Sequence, residues 1–251
     1  MRRETLLLAV AIMAILGTAC QSGSPAEPSP SPTPIPPIPP PSTPAPLTDQ
    51  QFKDRLEALM LGTGPNSQPG NHGCLFENDR YRRWAESLET MRVLLSNKTS
   101  ERQREELRSV FGMYRETLGG RPSLQEELVD VFPPSPATGA RPVIGMIKVD
   151  VVSELSLCPG AGAGCFSGSG PDYTYDGGLI LLRTGAPDAT ASHEAGHMIG
   201  MCHIIGIGAG TSIMSGATSP TELDRRVIET VIRSGLRPGS TKADFVAKGL
   251  L

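Results

Sequence analysis

The stretch HEAGHMIGMCH, residues 193–203, gathers three of the chain's four histidines. His193 and His197 are four residues apart, so on a helix they project from one face, one turn apart. That spacing brings two imidazole nitrogens onto a single metal ion at about 2.0–2.1 Å each. Glu194 stands beside the first histidine, on the flank of such an ion, where a carboxylate takes a proton from water rather than binding the metal. A straight helix would carry His203 off that face. Gly200 permits the left-handed backbone that ends a helix, and the chain can then return His203 as a third ligand. Three protein nitrogens leave one tetrahedral position for water, the arrangement of a catalytic zinc site rather than a structural one. Zinc lowers the pKa of such water to near 7, and Glu194 is then the general base as the water attacks a carbonyl carbon.

The flanks read as a mixed α+β domain. Upstream, VIGMIKVDVV (143–152) and GLILLR (178–183) are apolar and β-branched enough to predict two strands, with a glycine-rich loop from Cys158 to Gly178 between them. Asp188 or Thr190 opens the histidine helix. Downstream, Ser219-Pro220-Thr221-Glu222 has the form of a capping box with proline at the first helical position. It predicts a helix carrying Leu223, Val227, Val231 and Ile232 and closing near Gly235.

From residue 47 to 132 the apolar spacing is helical. A first helix follows Thr48 with Phe52, Leu56, Leu59 and Met60 on one face. A second is predicted from Tyr81, Trp84, Leu88, Met91 and Leu95. Ser100 and Gln103 cap a third, faced by Leu107, Val110, Phe111, Tyr114 and Leu118 and stopped at Gly119-Gly120. Ser123 and Glu126 cap a fourth, with Leu124, Leu128 and Val131 inward. PPSPATGARP (133–142) breaks the pattern, setting a helical region over 48–136 against a second region over 137–251.

The eleven residues of the opening motif match HExxHxxGxxH, and in this the chain resembles the metzincin clan of zinc metallopeptidases. Met214, within Thr211-Ser212-Ile213-Met214-Ser215-Gly216, looks like the methionine of the clan's tight turn beneath the metal. The resemblance covers roughly residues 178 to 235, under a quarter of the chain. It implies a metzincin-like domain with a small twisted sheet, an active-site helix, a Met-turn and a C-terminal helix, the last matched by Pro220 to Arg233. It also implies zinc-dependent cleavage of protein or peptide substrates, and a strand before the active-site helix that pairs with extended substrate. Gly178 to Arg183 stands where that strand should be. The segment between strand 143–152 and the motif is short for such a domain, so either the sheet is minimal or the N-terminal half lends it elements. Residues 48–136 are then part of the catalytic domain or a removable prosegment, in which His72 or Cys74 could cap the metal. Ile204 follows the third histidine and no tyrosine follows Met214. The resemblance therefore stops at the clan, and help from a phenol does not carry over.

The N-terminus carries an export signal. Arg2 and Arg3 precede the apolar run Leu6 to Leu16 and then Gly17-Thr18-Ala19-Cys20, predicting a signal peptide over 1–19. Cys20 is a lipidation candidate, and residues 20–47, with twelve of the chain's 24 prolines, make a stiff spacer that builds no core. A bacterial membrane-anchored or surface lipoprotein is expected, a freely secreted protein otherwise. The remaining cysteines are even in number, as oxidising compartments favour. Cys158 with Cys165 and Cys74 with Cys202 are the pairs proposed, among three arrangements. A net charge of −3 with no block of one sign excludes a nucleic-acid footprint. The oligomeric state is open. The competing reading is a lipid-anchored binding or adhesion module with a structural or vestigial zinc, against which Glu194 argues, since a structural site needs no base.

Overall fold

A computed structural model describes residues 46–69, 80–84, 88–132, 143–156, 158, 161–171 and 173–251. The signal segment 1–19, Cys20, the spacer up to residue 45 and Cys74 lie outside the described residues. In chain order the elements are α1 (Asp49–Leu61), β1 (Arg83–Trp84), β2 (Thr90–Ser96), α2 (Glu101–Thr117), β3 (Ser123–Val129), β4 (Met146–Val152), β5 (Gly164–Ser169), β6 (Thr174–Tyr175) and β7 (Gly177–Arg183). Then follow α3 (Thr190–Met198), a 3-10 turn (Ile213–Ser215), α4 (Glu222–Arg233) and α5 (Lys242–Ala247). Pro46 to Leu251 form one compact unit. No helix among the described residues is long and apolar enough to cross a membrane.

The frame is a five-stranded sheet in the order β3-β2-β4-β7-β5. The first four strands run parallel and β5 runs antiparallel to β7. β4 lies between β2 and β7, and its near-continuous apolar run, MIKVDVV, is buried on both faces, as an interior parallel strand requires. On one face Ile147, Val149, Ile180, Leu182 and Phe166 join a core shared with all five helices. On the other, Leu181 and Cys165 pack with Leu155 in a smaller cluster.

Two of the four helices expected between 47 and 132 are strands, and the physical reasons differ. In β2 the spacing of Met91 and Leu95 imitates a helix, but Val93, Leu94 and Leu95 are all buried, Leu94 facing away from its neighbours, as in a strand covered on both sides. In β3, Ser123 and Glu126 have capping-box spacing but serve other partners. The Ser123 hydroxyl meets Thr90 Oγ1 at 3.0 Å, and Glu126 accepts from Arg108 Nε of α2 at 2.7 Å. Leu128, meant as core, is exposed on this edge strand, as is Val131 beyond it. The region 48–136 is therefore not helical throughout: it lends β2 and β3 to the same sheet as β4 and β7. The alternative in which the N-terminal half completes the sheet is the one observed.

α1 and α2 begin at the caps read from sequence, Thr48 and the pair Ser100 with Gln103, and Gln51 completes a capping box at Thr48 that the sequence reading did not name. α4 begins later than expected: its capping box is Thr221 with Asp224, not Ser219 with Glu222. The glycine-rich loop after Cys158 contains β5 and β6, and a last helix, α5, had no counterpart in the sequence reading. β7, assigned above to substrate pairing, is hydrogen-bonded on both sides and has no free edge. The open edge beside the histidines is that of β5, which pairs only with β7 among the described residues.

Candidate metal centre

α3 presents His193 and His197 from one face, as their spacing requires. Its start is unusual, because Ala189 sits at the N-cap with φ +74° and makes no side-chain cap. Thr190 and Asp188, the expected openers, are otherwise engaged: the Thr190 hydroxyl donates to the Pro187 carbonyl, and Asp188 pairs with Arg102 at 2.9 Å. The acceptor for the free N–H groups comes from α2. The buried Glu106 carboxylate accepts from Ala189 N at 3.2 Å and Ser192 N at 3.4 Å. This places a negative charge on the positive end of the helix that carries the site.

At the other end the helix closes in a Schellman motif. Gly200 N donates to His197 O, and Met201 N reaches back to Gly196 O at 2.9 Å. Gly200 has φ +93°, and a Cβ there would stand 1.9 Å from the Arg82 carbonyl oxygen, so glycine is required on both counts. The chain then pairs with the end of α1 and the residues after it. Cys202 N donates to Leu59 O, Ser67 bridges Ile204 antiparallel, and Ile205 exchanges hydrogen bonds with Asn66. His203 lies inside this clamp. Its Nε2 is 2.9 Å from that of His193 and 3.1 Å from that of His197. Nitrogens bound to one tetrahedral ion at 2.0–2.1 Å would be about 3.3 Å apart, so the three histidines form a group that could hold a metal ion.

The electrostatics suit that role. Burial holds His193 down to about 4, with the neighbouring His203 adding to the effect and the Ile213 carbonyl opposing it. Burial likewise keeps His197 well below the usual imidazole range, helped by His193 and His203. Neutral imidazoles offer lone pairs, and His197 orients its own: Nδ1 lies 2.9 Å from Met201 O, leaving Nε2 for the ion. Burial also pushes the Glu194 carboxyl up to about 8. Glu194 lies against β5, where a Cβ on Gly164 would come 2.9 Å from its Oε1.

Met214 is buried in the 3-10 turn beneath α3, its sulfur packed over Gly196 between the two helical histidines. The turn is held from α4. Asp224, fully buried, accepts from Ser212 Oγ, Ile213 N and Thr221 N. Thus Asp224 caps its own helix and fixes the turn with one carboxylate.

The histidines and Glu194 open into a cavity of about 790 Å³. One wall is the loop closed by the Cys158–Cys165 disulfide, a pair the sequence proposed. Cys202 is also disulfide-bonded, while Cys74, its proposed partner, is outside the described residues. Sequence reasoning missed Glu106, Asp224, Asn66 and Gln68. Glu106 left a trace, since it falls one turn before Val110 on the apolar stripe of α2, where a carboxylate needs a buried partner. The other three have no local signal beyond the Thr221–Asp224 spacing.

Neither a family model nor a curated protein matches the chain. What defines it is therefore its own geometry: among the described residues, a mixed α+β domain with a small sheet, five helices and a group of three histidines, His197 buried and the other two half-buried, able to hold a metal.

Proposed function

We propose that the chain is a zinc-dependent endopeptidase of the metzincin kind. The observation that carries this reading is the convergence of His193, His197 and His203 beside Glu194 in an open cleft. Three imidazole nitrogens at nearly tetrahedral separation fit zinc, and a carboxylate that is not a ligand fits catalysis better than a structural site. When bound, zinc supplies a Lewis acid and water acidified to near pH 7. Glu194, desolvated against β5, accepts the proton and later delivers it to the leaving amine. An extended substrate would align along the open edge of β5, whose backbone groups, unpaired on that side among the described residues, are suited to main-chain hydrogen bonds. This moves the substrate strand from Gly178–Arg183 to Gly164–Ser169.

Residues 48–132 belong, in this reading, to the catalytic domain rather than to a prosegment. β2 lies between β3 and β4, α2 caps the active-site helix, and residues 59–67 clamp the His203 segment. The protein is exported and reaches its substrates at a membrane through lipid on Cys20, or as a secreted enzyme. Mass spectrometry of the mature chain tests the anchor.

Peptidase activity on a peptide library should be abolished by chelation and restored by zinc. Glu194→Ala should keep one zinc per chain and lose at least about a hundredfold in kcat. A Glu194→Ala protein that binds zinc and cuts as well as its parent overturns the mechanism. A parent that holds zinc and cuts nothing across the library favours a binding or adhesion module.

A further inference from the structure

We propose that Gln68 is a catalytic residue of this centre, its side-chain amide donating to the oxygen that gains charge as the scissile carbonyl becomes tetrahedral. The inference rests on the peptidase reading. A donor aimed at that oxygen adds to the Lewis acid that zinc would supply, and such donors are worth most in a desolvated cleft. In that reading the backbone N–H groups along the β5 edge are taken up by the main chain of the substrate, and the side-chain donors that remain in the cavity can be counted by chemistry. Its cysteines are tied in a disulfide, and its glycines, alanines and Phe166 have no polar side-chain hydrogen. Asp188 is an acceptor engaged with Arg102, and Glu194 is the base. The Thr190 hydroxyl is spent on Pro187 O, and the histidine Nε2 atoms face one another. Among the described cavity residues this leaves Gln68 as the side-chain donor, whose amide makes no hydrogen bond to another described residue.

Its placement is fixed independently. Ser67 bridges Ile204 antiparallel, and the Asn66–Ile205 bonds continue the same register. One step further that register sets Gln68 opposite His203, and side chains opposed across an antiparallel pair stand about 4.5–5.5 Å apart at Cβ. The clamp that delivers the third histidine therefore delivers an uncommitted amide to the same cavity. A glutamine can donate through Nε2 without titrating, so its contribution would be constant across the working pH range.

The test compares the parent, Glu194→Ala, Gln68→Ala and Gln68→Glu on the best library peptide, with zinc content and thermal midpoint measured for each. Gln68→Ala should lose about 10²–10³ in kcat with zinc bound and KM little changed, the cost typical of one lost oxyanion donor. Gln68→Glu should lose at least as much, because it sets a negative charge where charge develops. A second readout is binding of a phosphinic analogue of that peptide, whose tetrahedral anionic oxygens mimic the transition state. Gln68→Ala should weaken it about a hundredfold, while the uncut peptide, measured in the Glu194→Ala background, changes less than about threefold. A kcat within about threefold of the parent, a loss confined to KM, or a loss of zinc overturns the proposal. If the parent does not cleave, or Glu194→Ala cleaves equally well, the peptidase reading fails and this one with it. If the parent cleaves, Glu194→Ala is dead and Gln68→Ala matches the parent, only the role of Gln68 falls.

Discussion

α2 and α3 pack against each other, yet they begin in opposite ways. α2 has its own capping box: Ser100 Oγ accepts from Gln103 N at 3.2 Å, and the Gln103 side chain returns the bond to Ser100 N at 3.0 Å. Its apolar stripe runs about three turns, from Leu107 to Leu118, and a glycine pair ends it. α3 is nine residues long, starts at an alanine in left-handed backbone and has no cap of its own. Nine residues are too few to hold a helix in water, so its order comes from its neighbours. Glu106 of α2 receives its first N–H groups, and Gly200 folds its end under the Arg82 backbone. Of the two, the helix that carries the candidate metal ligands is the one with less local support. A ligand geometry borrowed from several elements can be set more finely than any one element could set it, but it is lost when any of them shifts.

The largest effect expected from breaking this dependence is at Gly200. Gly200→Ala places a Cβ 1.9 Å from a backbone oxygen and forces a left-handed conformation on an L residue. Neither strain can be relieved by a side-chain rotation, because the obstacle is main chain. The cost should exceed about 3 kcal/mol. Because the turn delivers His203, stoichiometric zinc binding should be lost as well. Denaturant unfolding with and without zinc checks both. The parent should gain stability on adding zinc, and a variant that gains as much would show that the turn does not set the third ligand.

Next comes Glu106→Ala, which removes an acceptor from two buried N–H groups of α3. Buried donors that lose a charged acceptor cost about 2–3 kcal/mol. Glu106→Gln keeps one oxygen and should recover part of that. Zinc affinity should fall with Glu106→Ala, since the N-terminal turn that frays carries His193. If Glu106→Ala costs no more than removing an ordinary surface cap, α3 is held by something other than α2.

The same contrast explains what could be read in advance. α1, α2 and the strands at 146–152 and 177–183 follow from rules that act over a few residues, and so does the pairing of Cys158 with Cys165. The three histidines and Glu194 were legible because helical spacing alone puts two of them together and Gly200 announces the turn. β2 and β3 were not. Met91 and Leu95 fit either period, and Ser123 with Glu126 satisfies a helix rule whose partners, in the fold, lie on β2 and α2. The site's supports were hidden for the same reason. Glu106, Asn66 and Asp224 act on segments 83, 139 and 12 residues away, and no local pattern encodes a partner at such distances.

The smallest effect, and the control for the others, is Ser100→Ala. It deletes a cap of the kind worth about 1 kcal/mol, on a solvent-exposed helix end whose N–H groups water can satisfy in part. α2 keeps its buried stripe of Leu107, Val110, Phe111 and Tyr114, so the helix frays at its tip and Glu106, more than a turn further in, stays in place. Unfolding should shift by about 1 kcal/mol, whereas zinc stoichiometry and peptidase activity should match the parent. A Ser100→Ala protein that loses zinc would mean that the start of α2 is coupled to α3 through Arg102, which bridges Glu106 and Asp188 at 3.5 and 2.9 Å. Substituting Arg102 would then reproduce the defect, and the support of the site would extend one turn further along α2 than Glu106.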